Sequence, residues 1–161
     1  MSRHPDVGHL TGVVVHGDSR GRVLGFPTAN LLLDAGELPD DGIYAALTLV
    51  RGLPYVFTST VSVGTNPTFP GRRARRVEVH LHDLEIDLYG RRLDVELVEF
   101  IRPTLAFDDV ERLCAQSRED VRISERILRA GEWPSFAGFD QNAHANAARS
   151  SLNNRRLCNQ D

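Results

Sequence analysis

The residues best equipped for chemistry fall into three short segments. The first, residues 17–30, reads GDSRGRVLGFPTAN. Its three glycines, Gly17, Gly21 and Gly25, let a backbone approach a ligand closely and turn several N–H groups toward an anion. Arg20 and Arg22 add positive charge to the same loop. Thr28 and Asn30 stand two apart at the start of an apolar run, so as strand residues they share one face. A threonine hydroxyl and an asparagine carbonyl are hard oxygen donors of the kind that hold Mg²⁺. Taken alone, the segment is equally readable as a glycine-rich hairpin in which Asn30 bonds its own backbone.

The second segment, SVGTNPTF at 62–69, holds an Asn66-Pro67 step that favours a turn; a strand end followed by a turn accounts for it. The third, VEVHLHDLEIDLYG at 77–90, alternates. Val77, Val79 and Leu81 fall on one face, and Glu78, His80 and His82 on the other. A carboxylate on a rigid strand suits a general base acting on a hydroxyl, so Glu78 is a candidate; a solvated strand face is the plainer alternative. His80 and His82 form an H-x-H pair that could ligate zinc, but no cysteine lies nearby and no third ligand stands out. The arginines of residues 72–76 make a local basic patch, either a solvated loop or an aid in attracting an anionic ligand.

Composition narrows the chemistry. All 19 basic residues are arginine, and lysine is absent. That excludes a Walker A loop, a protein-kinase fold and Schiff-base catalysis, each of which requires a lysine. Phosphate handling would fall to backbone N–H groups, arginine and a metal ion. A formal net charge of -3 gives no electrostatic case for nucleic-acid binding by the chain as a whole. No apolar run approaches the roughly 18 residues needed to cross a membrane, and residues 1–9 lack the apolar core of a signal peptide. Two cysteines, Cys114 and Cys158, suit a reducing cytoplasm better than a disulfide framework.

The elements that must position these residues come in two kinds. With 161 residues, 41% of them hydrophobic and 25% charged, one soluble domain is expected. Six β-type stretches, at 11–16, 29–33, 43–50, 55–63, 77–84 and 93–100, are punctuated by glycine and proline, which suggests an antiparallel barrel or sandwich. The period then changes to that of a helix over about 108–130. Asp108 is read as its N-cap, Glu111 as the capping-box partner and Gly131 as the C′ residue. Val110, Leu113, Cys114, Val121 and Leu128 form its expected apolar face. The domain is placed at 8–133, with 134–161 as a polar, flexible tail.

In this order the segments resemble the riboflavin kinase family, whose module is also the C-terminal half of bacterial bifunctional FAD synthetases. The family's G-[FY]-P-T-A-N is matched by Gly25 to Asn30 without departure. Gly42-Ile43-Tyr44-Ala45, the G-x-N-P-T-F of residues 64–69, the E-x-H of Glu78 and His80, and the D-L-Y-G of residues 87–90 follow in register. Arg102 and a Q-x₃-D pair, Gln116 and Asp120, complete the match over about 12–129. The resemblance implies a mainly β fold, a six-stranded antiparallel Greek-key barrel with a C-terminal helix, and transfer of the ATP γ-phosphoryl group to riboflavin. It implies nucleotide contacts at Gly17, Arg20, Gly21, Arg22, Gly25, Pro27, Thr28, Asn30 and Asn66, with Mg²⁺ at Thr28 and Asn30. It makes Glu78 the catalytic base and sets the flavin near Arg102, Phe107 and Leu113. The expected partners are ATP and riboflavin, without nucleic acid or membrane, in a cytoplasmic monomer. No H-x-G-H motif is present, so a stand-alone kinase module without FAD synthesis is expected. Two rival readings are a flavin-binding barrel without catalysis and a nucleic-acid-binding barrel using the 72–76 patch.

Overall fold

Alternation along each strand closes the sheet on itself. A computed structural model of the chain describes residues 7–17, 25–34, 38–65, 75–84 and 86–130. They form β1 (Gly8–Val15), β2 (Ala29–Leu33), β3 (Gly42–Val50), β4 (Val56–Thr65), β5 (Arg75–Leu81), β6 (Arg92–Arg102) and one helix, α1 (Val110–Ala130). All six strands pair antiparallel in a closed barrel of order β1-β2-β5-β4-β3-β6. Strands β3, β4 and β5 run as a meander and β6 returns beside β3, which is the Greek-key arrangement. The mainly β reading of the sequence therefore holds.

Every second residue points inward. Leu10, Val14, Leu31, Val61, Val63, Val77, Val79, Leu93, Val95 and Leu97 fill the interior. Thr48 and Ser59 are also fully buried, and their hydroxyls lie 2.7 Å apart with Ser59 donating to the Ala46 carbonyl. A second cluster lies outside the barrel, where Ala45, Leu47, Val56 and Val98 meet Leu128 of α1. Strand β3 is buried at all nine positions because one face lines the interior and the other lies against this cluster. A strand covered on both faces reads as a continuous apolar run, as GIYAALTLV does.

The helix departs from its sequence reading at both its start and its face. Asp109, not Asp108, caps it: the Asp109 carboxylate accepts from the Arg112 N–H at 2.8 Å. Glu111 lies in the first turn, where its charge complements the helix dipole, rather than closing a capping box. The buried stripe is Asp120, Ser124 and Leu128, spaced four apart. Val110, expected inward, is 57% exposed. The helix therefore docks by polar contacts as well as through the apolar cluster around Leu128. Arg102, at the end of β6, donates two hydrogen bonds to the Asp120 carboxylate at 2.8 and 2.7 Å, and Gln116 adds a third at 3.0 Å. Such a bidentate, nearly buried pair fixes orientation as well as distance. Among the described residues no helix is long and apolar enough to cross a membrane.

Candidate active site

The connection after β5 makes one wall of the site. Asp87 accepts a hydrogen bond from the Tyr89 N–H at 3.0 Å, and the Arg91 N–H reaches the Leu88 carbonyl at 3.0 Å. Gly90 has φ +76° at the third position of this tight turn, a backbone that other residues adopt with difficulty. The D-L-Y-G sequence is thus a turn specification. The turn is tied to β1 by Gly90 N–H to Val14 O and Val14 N–H to Arg91 O, and Tyr89 stacks on His16 at 3.8 Å. The result is a cavity of about 470 Å³ at the barrel mouth. Its walls include Val14, Pro27, Thr28, Leu81, Leu88 and Tyr89.

The opposite wall is the entry to β2. Gly25 has φ +81°, which turns the chain into Phe26 and Pro27. Thr28 is exposed at the lip of the cavity. Asn30 lies on the outer face of β2, and Gly17 packs against its amide so closely that any side chain at Gly17 would overlap it. Directly across the ladder from Asn30 stands Glu78, half-buried on β5. Neighbouring strands are about 4.8 Å apart, so the carboxylate-bearing and amide-bearing residues are adjacent.

The register carries this row further. Ser62 of β4 is opposite Glu78, Ile43 of β3 is opposite Ser62, and Arg102 of β6 is opposite Ile43. Asn30 and Arg102 thus end one continuous line across five strands, four spacings or roughly 19 Å around the barrel. At its far end the Arg102 guanidinium, held by Asp120, lies 6.0 Å from the centroid of the Phe107 ring. Leu113 is partly buried in the first turns of α1. The connection from β6 to α1 also carries Leu105, 54% exposed.

The two histidines of the H-x-H pair have different fates. His80 Nδ1 lies 2.9 Å from the Pro27 carbonyl, which can only accept, so Nδ1 carries the proton. His82, read from alternation as part of an outward polar face, is only 6% exposed because α1 covers it. Thr60 donates to Ser124 at 2.8 Å, so it accepts from His82 Nε2–H, also at 2.8 Å; His82 Nδ1 then accepts from Thr58 at 3.0 Å. Burial, with the nearby His80 in second place, pushes the His82 pKa down to about 4. His80 Nδ1 and both His82 nitrogens are thus engaged by protein atoms.

Of the residues singled out by sequence, the described ones Gly17, Gly25, Pro27, Thr28, Asn30 and Glu78 come together around the mouth of the barrel and the β2–β5 ladder. Arg102 and Phe107 lie together at the other end of the row, and Leu113 is partly buried in the following helix. Arg20, Gly21, Arg22 and Asn66, the Gly131 C′ position and the 134–161 segment lie outside the described residues, as do Arg72 and Arg73. Arg75 of the basic patch is bound to Asp41 at 2.6 Å and to the Pro39 carbonyl. Sequence reasoning missed Tyr89 stacked on His16, and the bond from His80 to Pro27. The motif letters marked both places, but only the fold pairs them.

The donors fit a hard divalent cation. Thr28 Oγ and the Asn30 carbonyl are neutral oxygens, and the Gly17 contact holds the Asn30 amide in place. Mg²⁺ binds such sites through a few protein oxygens and completes its shell with water and substrate phosphates. Among the described residues there is no cluster of three or more His, Cys, Asp or Glu side chains that could hold a metal by itself. A cation here would share its coordination with an anionic ligand.

Comparison with known proteins gives the family and the fold. Residues 6–128 match the family model described as Flavokinase: Riboflavin kinase. The chain is 39% identical over 110 residues to the bifunctional riboflavin kinase/FMN adenylyltransferase of Listeria monocytogenes, covering 68% of this chain and 34% of that protein. It is 38% identical over 141 residues to the bifunctional riboflavin kinase/FMN phosphatase of Arabidopsis thaliana, covering 83% and 36%. The chain thus spans about a third of the length of these relatives. The crystal structure of riboflavin kinase from Trypanosoma brucei shares the fold, with a TM-score of 0.57 at 24% identity over 75% of this chain and 76% of that one. By the match over 6–128 and the identity with these relatives, the chain belongs to the riboflavin kinase family.

Proposed function

We propose that this chain transfers the γ-phosphoryl group of ATP to the 5′-hydroxyl of riboflavin, giving FMN and ADP. The observation that carries the reading is the register of β2 on β5, which sets Asn30 opposite Glu78 and next to the cavity lip at Thr28. Oxygen donors for a metal-bound phosphate and a carboxylate for a hydroxyl proton are then one strand apart. The adenine ring is assigned to the mouth cavity, between the apolar side chains of Val14, Leu81, Leu88 and Tyr89. The cavity's volume suits a small organic ligand. The triphosphate then runs out over Thr28, with Gly17, Arg20, Gly21, Arg22, Gly25 and Asn66 as further contacts.

Riboflavin follows the row across the sheet. Glu78 accepts the proton of the ribityl 5′-hydroxyl as that oxygen attacks the γ-phosphorus. The isoalloxazine ring rests near Phe107, Leu113 and the Arg102 end of the row. Arg102 itself, paired with Asp120, acts there by holding the wall in place. Mg²⁺ held by Thr28 and Asn30 would neutralise phosphate charge. Phosphoryl transfer is mostly positioning and charge stabilisation, so these residues suffice without lysine. The reading includes a monomeric, cytoplasmic enzyme. Incubation with ATP, Mg²⁺ and riboflavin, followed by chromatographic detection of FMN, tests it. Formation of FMN is expected; riboflavin binding with no FMN would make the chain a non-catalytic flavin-binding barrel.

A further inference from the structure

We propose that His80 is a positioning residue that sets the metal-binding hydroxyl of Thr28 against Glu78; this rests on the phosphotransfer reading above. The β2–β5 ladder pairs Leu31 with Val77, Asn30 with Glu78 and Ala29 with Val79, and ends there. One more rung would set Thr28 opposite His80. Instead, the His80 side chain continues the connection. Its Nδ1–H donates to the Pro27 carbonyl at 2.9 Å. That carbonyl belongs to the peptide unit whose nitrogen is Thr28 N, so the bond fixes the plane from which Thr28 departs. The adjoining Pro27 already has its φ fixed by its ring. The orientation of the Pro27–Thr28 peptide is the next variable along the chain, and His80 sets it.

The imidazole is itself held. Phe26 meets it edge-on at 6.0 Å, and His82 lies on it at 5.7 Å, tilted by 57°. His82 is anchored in turn through Thr60 to Ser124 of α1. Glu78 and His80 are two apart on one strand and therefore on one face. The same rigid segment thus carries the base and the clamp on the metal-binding turn. This accounts physically for an E-x-H sequence set opposite P-T-A-N. A displacement of about 1 Å in such a group is worth up to roughly 10²-fold in rate.

The test is a set of variants in the full chain. His80→Ala should raise the Mg²⁺ concentration for half-maximal FMN formation by roughly 10–100-fold, as loss of a partner behind a metal ligand does. KM for riboflavin should stay unchanged. His80→Asn, whose amide N–H can take the place of Nδ1–H, should restore most of the Mg²⁺ response. In a Thr28→Ala background, His80→Ala should add no further shift. Calorimetric titration with ADP gives a readout independent of turnover: His80→Ala should weaken binding in the presence of Mg²⁺ and leave Mg²⁺-free binding unchanged. Wild-type Mg²⁺ dependence in His80→Ala, no rescue by asparagine, or full additivity with Thr28→Ala would overturn the proposal. If the wild-type chain makes no FMN, the phosphotransfer reading fails. The calorimetric comparison then still decides the role of His80.

Discussion

The outer surface of the barrel has two unlike sides. Under α1, polar side chains are sealed and paired within the protein: His82 with Thr58 and Thr60, Thr60 with Ser124, Arg102 with Asp120. On the β2–β5 side, Thr28, Asn30 and Glu78 are exposed or half-exposed. Strand β5 contributes to both, with Glu78 at its middle and His80 near the end that leads into His82. The same residue chemistry does different work according to what covers it. Sealed polar groups specify how the helix docks. Open ones face the side from which a ligand would arrive.

Substitutions that affect one side and spare the other put that division to the test. The largest effect is expected at Glu78. Glu78→Gln should lower the rate of FMN formation by about 10²–10⁴ while leaving thermal stability near wild type. Retention of more than about a tenth of the rate would remove Glu78 from the role of base. On the sealed side the signs reverse. Asp120→Ala leaves the Arg102 guanidinium, 16% exposed, without its carboxylate. Urea unfolding should show a loss of about 3–5 kcal/mol. Replacing both partners with apolar residues of similar volume should return much of it.

The smallest effect is a pH dependence. The folded-state pKa of His82 is depressed to about 4 from an ordinary 6.5. The unfolded chain therefore binds the proton first as pH falls. The contribution to stability is complete above about pH 6.5 and is lost progressively down to about pH 4, to a total of about 3 kcal/mol. Unfolding free energies of wild type and His82→Gln, measured from pH 4 to 7, should converge toward the acid end. Parallel curves would show that His82 is not the group being sealed.

The sequence carried the barrel well and the helix less well. Strand faces follow from a period of two, and the inward sets Val77-Val79-Leu81 and Leu93-Val95-Leu97 read directly from it. The helix was harder because its buried stripe is half polar. Apolar periodicity selects Val110 and passes over Asp120 and Ser124, whose burial makes sense only once Arg102 and Thr60 are found facing them. Of the neighbouring aspartates, Asp108 has the better sequence signal because Glu111 stands three residues on, yet geometry chose Asp109. For the site, residue types and spacing made Thr28, Asn30 and Glu78 candidates, and the family resemblance supplied their expected roles. The alignment of Asn30 with Glu78 is a matter of register between strands far apart in the chain, which no local pattern contains.

The seam that closes the barrel has a consequence for how the molecule forms. Strand β1 pairs with β6, setting Gly8 opposite Leu97 and Val13 opposite Arg92. These contacts join nearly opposite ends of the barrel sequence. Pairings of such long range place a domain among the slower folders, on a scale of milliseconds to seconds rather than microseconds. The meander of β3, β4 and β5 and the β1–β2 pair can assemble from near neighbours, whereas the β1–β6 seam must wait for the last strand. The mouth cavity borrows Val14 from β1, and the turn that walls it hangs on Val14 through two backbone bonds. The pocket is therefore completed only when the seam closes. A ligand of this cavity meets a finished barrel, and its binding draws on the closed form alone, holding shut the last joint to be made.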